Sequence, residues 1–261
     1  MGVFMGNLIG KLIKKYEKYR AYHGYTCDCC GREVFDYPQN RLCEPCGIEL
    51  KNIERTCPKC GRKTAAEGVC LECKARMPQF LFAVSALAYE GGAASMINRF
   101  KNGEKYLAYF FAERLEALIS ARFRAENIDL HECLFTCVPD RKEDRKNRKD
   151  RYYNPAEVLA KTACERLNAA FYSEMLVKSR ETRPQKKMTR TERFENVRGA
   201  YRVHERAKCK GRTVAVFDDI LTTGATGDEC ARILLAAGAS RVIFITAVSV
   251  AEKAQFPEFA E

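Results

Sequence analysis

The spacing of the cysteines constrains this chain more than any other feature of its sequence. Nine of the fourteen cysteines lie in the 47 residues from Cys27 to Cys73, and eight of those nine form Cys-x-x-Cys pairs. The four pairs are Cys27/Cys30, Cys43/Cys46, Cys57/Cys60 and Cys70/Cys73. The first and third pairs are each followed by Gly-Arg, so the region is an internal repeat of two units.

Each Cys-x-x-Cys places two thiolates on one turn, and two such turns supply the four ligands of a closed tetrahedral zinc site. We therefore predict a double zinc ribbon, in which the eight paired cysteines bind two structural Zn²⁺ ions. Consecutive pairs are expected to share an ion because each unit is self-contained, although a cross-braced pairing fits the same spacing. The alternative of redox-active pairs requires a thioredoxin-like strand and helix around the motif, which this sequence lacks.

Composition narrows the class of protein. The 261 residues are 46% hydrophobic and 30% charged, a balance typical of a globular chain. The longest apolar runs have about half of the roughly 18–20 residues that a transmembrane helix needs, and the start of the chain does not resemble a secretory signal. We therefore expect a cytoplasmic protein. A net charge of +11 indicates an anionic partner.

Beyond residue 78, apolar runs typical of strands alternate with amphipathic helical patterns. Predicted strands cover residues 80–89, 134–138, 172–178, 213–217 and 241–250, and predicted helices cover 93–101, 106–126, 155–169 and 226–237. This order predicts an α/β fold, a parallel sheet with helices on both faces.

The chain is expected to have three segments: a basic amphipathic helix at 1–24, the double zinc ribbon at 25–78 and the α/β domain at 79–261. Residues 1–20 could make peripheral contact with a membrane or dock on a partner. Packing of this helix on its own domain is the alternative.

The strongest chemical signal lies where a predicted strand runs into a helix. Two carboxylates, Asp218 and Asp219, follow the strand and precede a small loop rich in hydroxyl groups. The loop residues are Thr222, Thr223, Gly224, Ala225 and Thr226. Backbone amides and the positive end of a helix are typical of a phosphate site at the carboxyl edge of a sheet. The acidic pair would then bind hydroxyls of a sugar on that phosphate, whereas a simple helix cap would explain only one of the threonines.

This segment resembles the phosphoribosyl-pyrophosphate (PRPP) signature of type I phosphoribosyltransferases. Together with the double zinc ribbon, it makes the chain resemble the ComF family from Cys27 to about Val250. The shared stretches include Lys101, Val138-Pro139, Arg151 to Asn154, Arg180 to Gln185 and Arg193 to Asn196. The resemblance implies a type I phosphoribosyltransferase-like sheet that binds PRPP together with Mg²⁺.

The resemblance also implies roles for individual residues. In the family, the positions of Asp218 and Asp219 contact the ribose hydroxyls, and residues 222–226 wrap the 5′-phosphate. Lys101 and Arg151 join the two aspartates as candidate catalytic residues. One departure is that the usual Arg-Gly-Phe-Asn-Gln of the family reads Arg-Tyr-Tyr-Asn-Pro from Arg151 onward.

Two segments near these motifs are strongly basic. Residues 138–154 carry seven basic and four acidic side chains, and residues 178–198 carry eight and three. The first segment corresponds to the pyrophosphate loop of the family, so it could hold a pyrophosphate leaving group. It could instead bind single-stranded DNA or form a solvated charged face. The candidate DNA-binding residues are Arg141, Lys142, Arg145, Lys146, Arg148, Lys149 and Arg151. Tyr152, Tyr153 and Phe194 could stack on bases or belong to the core.

Two functions follow from these features. The first is a PRPP-binding protein that acts in DNA uptake during natural competence, with single-stranded DNA and a helicase-like protein as partners, as the resemblance implies. The alternative is an active phosphoribosyltransferase that moves ribose 5-phosphate from PRPP to an amine or a nucleobase. The sequence contains no readable motif for the acceptor.

Overall fold

The computed structural model describes residues 26–34, 41–50, 55–140, 153–183, 188–204 and 206–252. The predicted helix at 1–24 and the candidate DNA-binding residues between Arg141 and Arg151 lie outside the described residues. Within the described ranges, no helix has both the length and the apolar character that crossing a membrane requires.

Among the described residues, two short helices come first, and strands then alternate with helices, with two helices between the first and second strands. The helices are α1 (Glu44–Glu49), α2 (Leu71–Ala75), α3 (Gly91–Lys101), α4 (Leu107–Ala125), α5 (Pro155–Arg166), α6 (Arg190–Val197), α7 (Arg206–Cys209) and α8 (Ala225–Ala236). The strands are β1 (Phe82–Ala88), β2 (Leu134–Cys137), β3 (Leu176–Lys178), β4 (Tyr201–Val203), β5 (Thr213–Leu221) and β6 (Arg241–Ser249).

Four strands form a parallel sheet in the order β1-β6-β5-β2. Every residue of β6 after Arg241 is buried, as expected for a parallel sheet that is covered on both faces. Alternate strand residues face two cores. Phe217 and Ile245 pack with α3, α4 and α5 on one face, while Val216 and Phe244 pack with α8 on the other. The predicted α/β fold is confirmed.

The two cysteine-rich units pack against opposite faces of this sheet. Cys27 and Leu50 of the first unit belong to the core that contains α4 and α5, and Cys57 of the second unit belongs to the core that contains α8. The second unit also covers the edge of the sheet, because Ala83 of β1 donates its backbone N–H to the carbonyl of Lys59 at 2.8 Å. The boundary between residues 78 and 79 stays a prediction.

Several elements differ from the sequence-based expectation, among them β3 and α6. The strand predicted at 172–178 is shorter, and β3 pairs antiparallel with β4 outside the parallel sheet. Helix α6 lies in the charged segment 178–198, where no helix was predicted. Thr189 and Glu192 form a capping box at its start, each side chain accepting a hydrogen bond from the backbone N–H of the other residue. That Thr-x-x-Glu pattern is the sequence signal for this helix.

Candidate functional site

The eight paired cysteines gather into two groups of four sulfur atoms. The sulfurs of each group all lie within 4.8 Å of one another. The groups are Cys27, Cys30, Cys43 and Cys46, and Cys57, Cys60, Cys70 and Cys73. Each group therefore consists of consecutive pairs, the arrangement favoured from the repeat.

Both groups fit a tetrahedral Zn²⁺ ion. The sulfurs of Cys30 and Cys43 are 3.6 Å apart, as are those of Cys60 and Cys70. Four zinc–sulfur bonds of about 2.3 Å would place the sulfurs about 3.8 Å apart. In the second group, the backbone N–H groups of Cys60 and Cys70 donate to the sulfur of Cys57 at 3.5 and 3.4 Å, which stabilises a thiolate. Each group could therefore hold zinc as a structural ion.

Strand β5 carries the acidic pair and is longer than predicted. It continues past Phe217 to Leu221, so Asp218 and Asp219 lie within the strand, and the backbone of Asp218 is paired with Thr246 of β6. The backbone N–H of Asp219 donates to the Asp218 carboxylate at 2.8 Å. The acidic pair is therefore held at the carboxyl end of the sheet.

Lys101, the third of the candidate catalytic residues, lies beside this pair. It is the last residue of α3, and its ammonium nitrogen lies 3.1 Å from Oδ1 of Asp219. Its side chain is 27% exposed and that of Asp219 is 18% exposed, so both remain accessible to a small ligand. Three of the four candidate catalytic residues thus lie together, and the fourth, Arg151, is outside the described residues.

The surroundings of Asp218 disfavour the ionised form of its carboxyl. Burial raises the pKa of this carboxyl well above its ordinary value, and the neighbouring Asp219 carboxylate raises it further. The backbone N–H of Asp219 and the ammonium group of Lys101 act in the opposite direction without cancelling the shift. Acidic groups with strongly shifted pKa values are common at functional sites, because ligands supply the missing hydrogen bonds or charge.

The predicted phosphate loop follows directly. Gly224 has the left-handed conformation (φ 82°, ψ 0°) and precedes α8, which begins at Ala225. Thr222 and Thr223 are partly exposed, and so is Thr226 in the first turn of the helix. The loop thus places hydroxyl groups and the N-terminal end of α8 beside the acidic pair, an arrangement typical of phosphate sites. The backbone N–H of Ala225 donates to the Thr223 hydroxyl at 3.4 Å.

Two arginines hold the loop residue Thr222 from different sides. Arg193 of α6 donates from Nη1 to the Thr222 hydroxyl at 3.0 Å, and Arg62 donates from Nη2 to the Thr222 carbonyl at 2.8 Å. Arg193 was part of the resemblance, but Arg62 was given no role from sequence. The only signal for Arg62 is its place in the Cys-x-x-Cys-Gly-Arg motif, and Arg32 occupies the same place in the first unit.

Several other residues of the resemblance have internal partners. Asn154 caps α5 by accepting from the backbone N–H of Ala156, and it donates to the carbonyl of Val138 at 2.8 Å. Arg180 donates to the carbonyls of Asn196 and Arg198, at the C-terminal end of α6, at 2.9 and 2.6 Å. These contacts hold the backbone that leads into and out of the two basic segments.

The aromatic residues considered as base-stacking groups have partners within the protein. Tyr153 is 7% exposed, and its ring packs 6.2 Å from that of Phe100, so it belongs to the core. The guanidinium of Arg76 lies 3.8 Å from the centre of the Phe194 ring. Tyr152 lies outside the described residues.

Comparison with known proteins shows what this chain is similar to. The sequence model of the phosphoribosyl transferase domain matches residues 155–260, which include the acidic pair and the loop. DNA utilization protein YhgH of Escherichia coli (strain K12) is 24% identical over 208 residues, covering 77% of this chain and 87% of that protein. Competence protein ComFC of Bacillus subtilis (strain 168) is 26% identical over 209 residues, covering 77% and 80%. The resemblance to the ComF family is confirmed.

Two solved structures are similar to this chain over part of its length. Glutamine PRPP amidotransferase from B. subtilis is 20% identical, with 57% of this chain and 27% of that chain aligned at a TM-score of 0.32. Purine phosphoribosyltransferase from Pyrococcus horikoshii Ot3 is 10% identical, with 59% and 95% aligned at a TM-score of 0.30.

Proposed function

We propose that this ComF-like protein binds PRPP at the carboxyl end of β5. The observation that carries the proposal is the continuous segment in which Asp218 and Asp219, contacted by Lys101, run directly into the loop at residues 222–226. In this proposal the carboxylates accept hydrogen bonds from the ribose hydroxyls, and the loop amides hold the 5′-phosphate. Mg²⁺ bound with PRPP would neutralise the pyrophosphate, and Lys101 and Arg151 are the proposed basic residues that assist it.

The proposed biological role is DNA uptake. The two relatives are named for DNA utilization and for competence, and the chain carries fifteen basic residues within the segments 138–154 and 178–198. We propose that Arg141, Lys142, Arg145, Arg148 and Lys149 bind single-stranded DNA in the cytoplasm, with a helicase-like protein as the partner. The backbone of DNA is a strong electrostatic ligand for such a segment.

An active phosphoribosyltransferase is the second candidate, favoured by the close approach of Lys101 to the acidic pair. In this reaction the bond between C1′ and the pyrophosphate oxygen breaks, and its electron pair leaves with pyrophosphate. The lone pair of an acceptor nitrogen forms the new bond to C1′, and that nitrogen then loses its proton to solvent. Positioning and charge stabilisation would carry most of the catalysis. Release of pyrophosphate, in a screen of amines and nucleobases with PRPP and Mg²⁺, separates this candidate from binding alone.

Titration calorimetry with PRPP and Mg²⁺ tests the site. Replacing both aspartates (Asp218→Asn, Asp219→Asn) should weaken binding about a hundredfold or more, since hydrogen bonds to charged groups contribute about 1.5–3 kcal/mol each. Asp129→Asn is the matched control, because Asp129 is exposed in the loop before β2, at the opposite edge of the sheet. Equal PRPP affinity in the parent protein and the double variant would refute the assignment.

The proposed zinc sites are tested by elemental analysis. Protein purified without added metal should contain close to two equivalents of zinc per chain, since each group of four cysteines forms a closed site. Mass spectrometry after thiol alkylation would report the state of the cysteines. A metal content near zero together with disulfides among these eight cysteines would contradict the proposal.

A further inference from the structure

The two repeated units use the same arginine position differently. Arg32 and Arg62 each follow a Cys-x-x-Cys-Gly motif. Arg32 is exposed, whereas Arg62 is 3% exposed and lies between the second cysteine group and the phosphate loop. A guanidinium is rarely buried to this extent unless hydrogen bonds compensate for its lost hydration.

Arg62 makes three such hydrogen bonds, and each goes to a different element. Nε donates to the sulfur of Cys60 at 3.2 Å, Nη1 donates to the Glu72 carboxylate at 2.9 Å, and Nη2 donates to the carbonyl of Thr222 at 2.8 Å. One planar group therefore connects a predicted zinc ligand, helix α2 and the loop after β5. Arg190 of α6 donates to the carbonyl of Glu72 at 2.7 Å and strengthens the same junction.

The bond to Thr222 determines where the next amide points. A peptide unit is planar and trans, so its carbonyl and its N–H point in opposite directions. Because Arg62 holds the Thr222 carbonyl towards the cysteine group, the N–H of Thr223 is directed away from that group, to the opposite side of the peptide. Gly224 then turns the chain into α8 in the left-handed conformation (φ 82°). Successive N–H groups in such turns form anion-binding concavities.

We propose that Arg62 is a positioning residue that couples the second metal site to the phosphate loop. The metal-bound thiolate of Cys60 holds Arg62, and Arg62 holds the loop in the conformation that binds a phosphate. The inference rests on the proposed PRPP site. Coupling of this kind is reciprocal, so bound PRPP should also stabilise metal at Cys57, Cys60, Cys70 and Cys73.

Substitution tests the forward direction. Arg62→Met removes all three hydrogen bonds and should weaken PRPP binding about tenfold, within the usual range for coupled sites. Arg62→Lys keeps the positive charge but loses the planar guanidinium group. Its PRPP affinity should therefore lie between those of Arg62→Met and the parent protein. Arg32→Met is the matched control in the same motif and should bind PRPP like the parent. All proteins are compared at two equivalents of zinc.

The reverse direction is tested on the unmodified protein, so it does not depend on a variant that folds. The protein is treated with EDTA and N-ethylmaleimide, with and without PRPP and excess Mg²⁺, and alkylated cysteines are mapped by mass spectrometry. PRPP should slow the alkylation of Cys57 to Cys73 several-fold more than that of Cys27 to Cys46. The cysteines from Cys27 to Cys46 are the internal control. Their backbone is held by Arg99 of α3, which donates to the carbonyls of Asp28 and Cys29, a contact that does not involve Arg62.

The outcomes separate the two proposals. A parent protein that does not bind PRPP would overturn the proposed function and, with it, the coupling. A parent protein that binds PRPP, with Arg62→Met binding equally well, would overturn the coupling alone. Equal protection of both cysteine groups by PRPP would also overturn the coupling, because stabilisation of the whole fold would then explain the effect.

Discussion

At the scale of single residues, the surroundings of Asp218 disfavour its ionised form. Its carboxyl is partly buried beside a second carboxylate, and the loss of hydration and the neighbouring charge both raise its pKa above the ordinary value of 3.8. An ionised aspartate at this position is therefore unfavourable in the folded protein without a ligand. A hydrogen bond from a sugar hydroxyl, or the charge of a metal-bound ligand, would compensate for the cost of ionising Asp218. A carboxyl with a raised pKa is therefore more typical of a binding site than of a hydrophobic core.

This argument predicts the effect of Asp218→Asn on stability. The folded state holds the Asp218 proton more tightly than the unfolded state does, so this group stabilises the fold at low pH. That contribution is lost as the pH rises through the raised pKa. Asparagine has no charge to bury. The variant should therefore have a higher free energy of unfolding than the parent protein at pH 7.

Urea unfolding at several pH values measures the difference. The advantage of Asp218→Asn should shrink towards zero near about pH 3, below the ordinary pKa of aspartate, where the parent carboxyl is also neutral. Asp129→Asn, at an exposed position, should change the free energy of unfolding little at any pH. A parent protein that is more stable than Asp218→Asn at pH 7 would contradict the argument.

At the scale of elements, the second cysteine unit is joined to the edge of the sheet by close backbone contact. Gly61 has a positive φ of 68°, and a Cβ atom added there would lie 2.5 Å from the carbonyl oxygen of Ala83 in β1. Gly31, at the same position of the first unit, has a φ of 76° with no atom within 4 Å of an added Cβ. An alanine at Gly31 would therefore carry only the cost of the left-handed backbone conformation, whereas an alanine at Gly61 would also overlap with β1.

Replacing each glycine with alanine tests this contact. Gly31→Ala should lower the free energy of unfolding by about 1–2 kcal/mol, the cost of a left-handed conformation in a residue with a side chain. Gly61→Ala should cost at least about 1–3 kcal/mol more, since backbone must move to relieve the overlap. Urea unfolding of the zinc-loaded proteins measures both values. Equal destabilisation would mean that the contact between Gly61 and β1 is not tight.

The elements of the parallel sheet could be predicted because buried strands and amphipathic helices have distinct apolar patterns. The predicted helix 226–237 corresponds to Ala225–Ala236, and the predicted strand 241–250 corresponds to Arg241–Ser249. The end of β5 could not be predicted in this way. Aspartate is unfavourable in strands, but pairing of Asp218 to Leu221 with β6 outweighs that local preference.

The candidate site was only partly readable from sequence. Asp218, Asp219 and the loop at 222–226 are adjacent in the chain, so a local pattern was enough to find them. The role of Arg62 depends on contacts across 160 positions, to Thr222. Its repeat counterpart Arg32 has the same motif and a different environment. Only packing of the second unit against the sheet distinguishes these two arginines.

At the scale of the whole molecule, the distribution of positive charge matters most for a nucleic-acid partner. In the segment 178–198, three of the five described arginines donate to acceptors within the protein: Arg180 to the carbonyl of Asn196, Arg190 to that of Glu72 and Arg193 to the Thr222 hydroxyl. These contacts stabilise the fold beside the phosphate loop. We therefore assign the proposed DNA contacts to the segment 138–154, which carries seven basic residues.

This assignment predicts weak, strongly salt-dependent binding of single-stranded DNA. The logarithm of the affinity should fall with the logarithm of the salt concentration, with a slope of roughly −0.7 for each phosphate contact. Replacing Arg145, Arg148 and Lys149 together with alanine should reduce that slope by roughly 2 if all three contact phosphates. Fluorescence anisotropy with a labelled oligonucleotide, titrated at several salt concentrations, measures it.

A charge-matched control distinguishes local contact from the effect of net charge. Replacing the exposed residues Arg124, Lys210 and Arg241 with alanine removes the same three charges elsewhere and should leave the slope close to that of the parent protein. Equal flattening in both triple variants would show that only the net charge of +11 attracts DNA. A parent protein that binds no DNA at about 50 mM salt would contradict the proposed DNA contacts and favour pyrophosphate as the ligand of segment 138–154. If the parent protein does bind DNA, competition between PRPP and DNA reports whether their sites overlap, because a pyrophosphate held by these residues must displace any DNA phosphate bound to them.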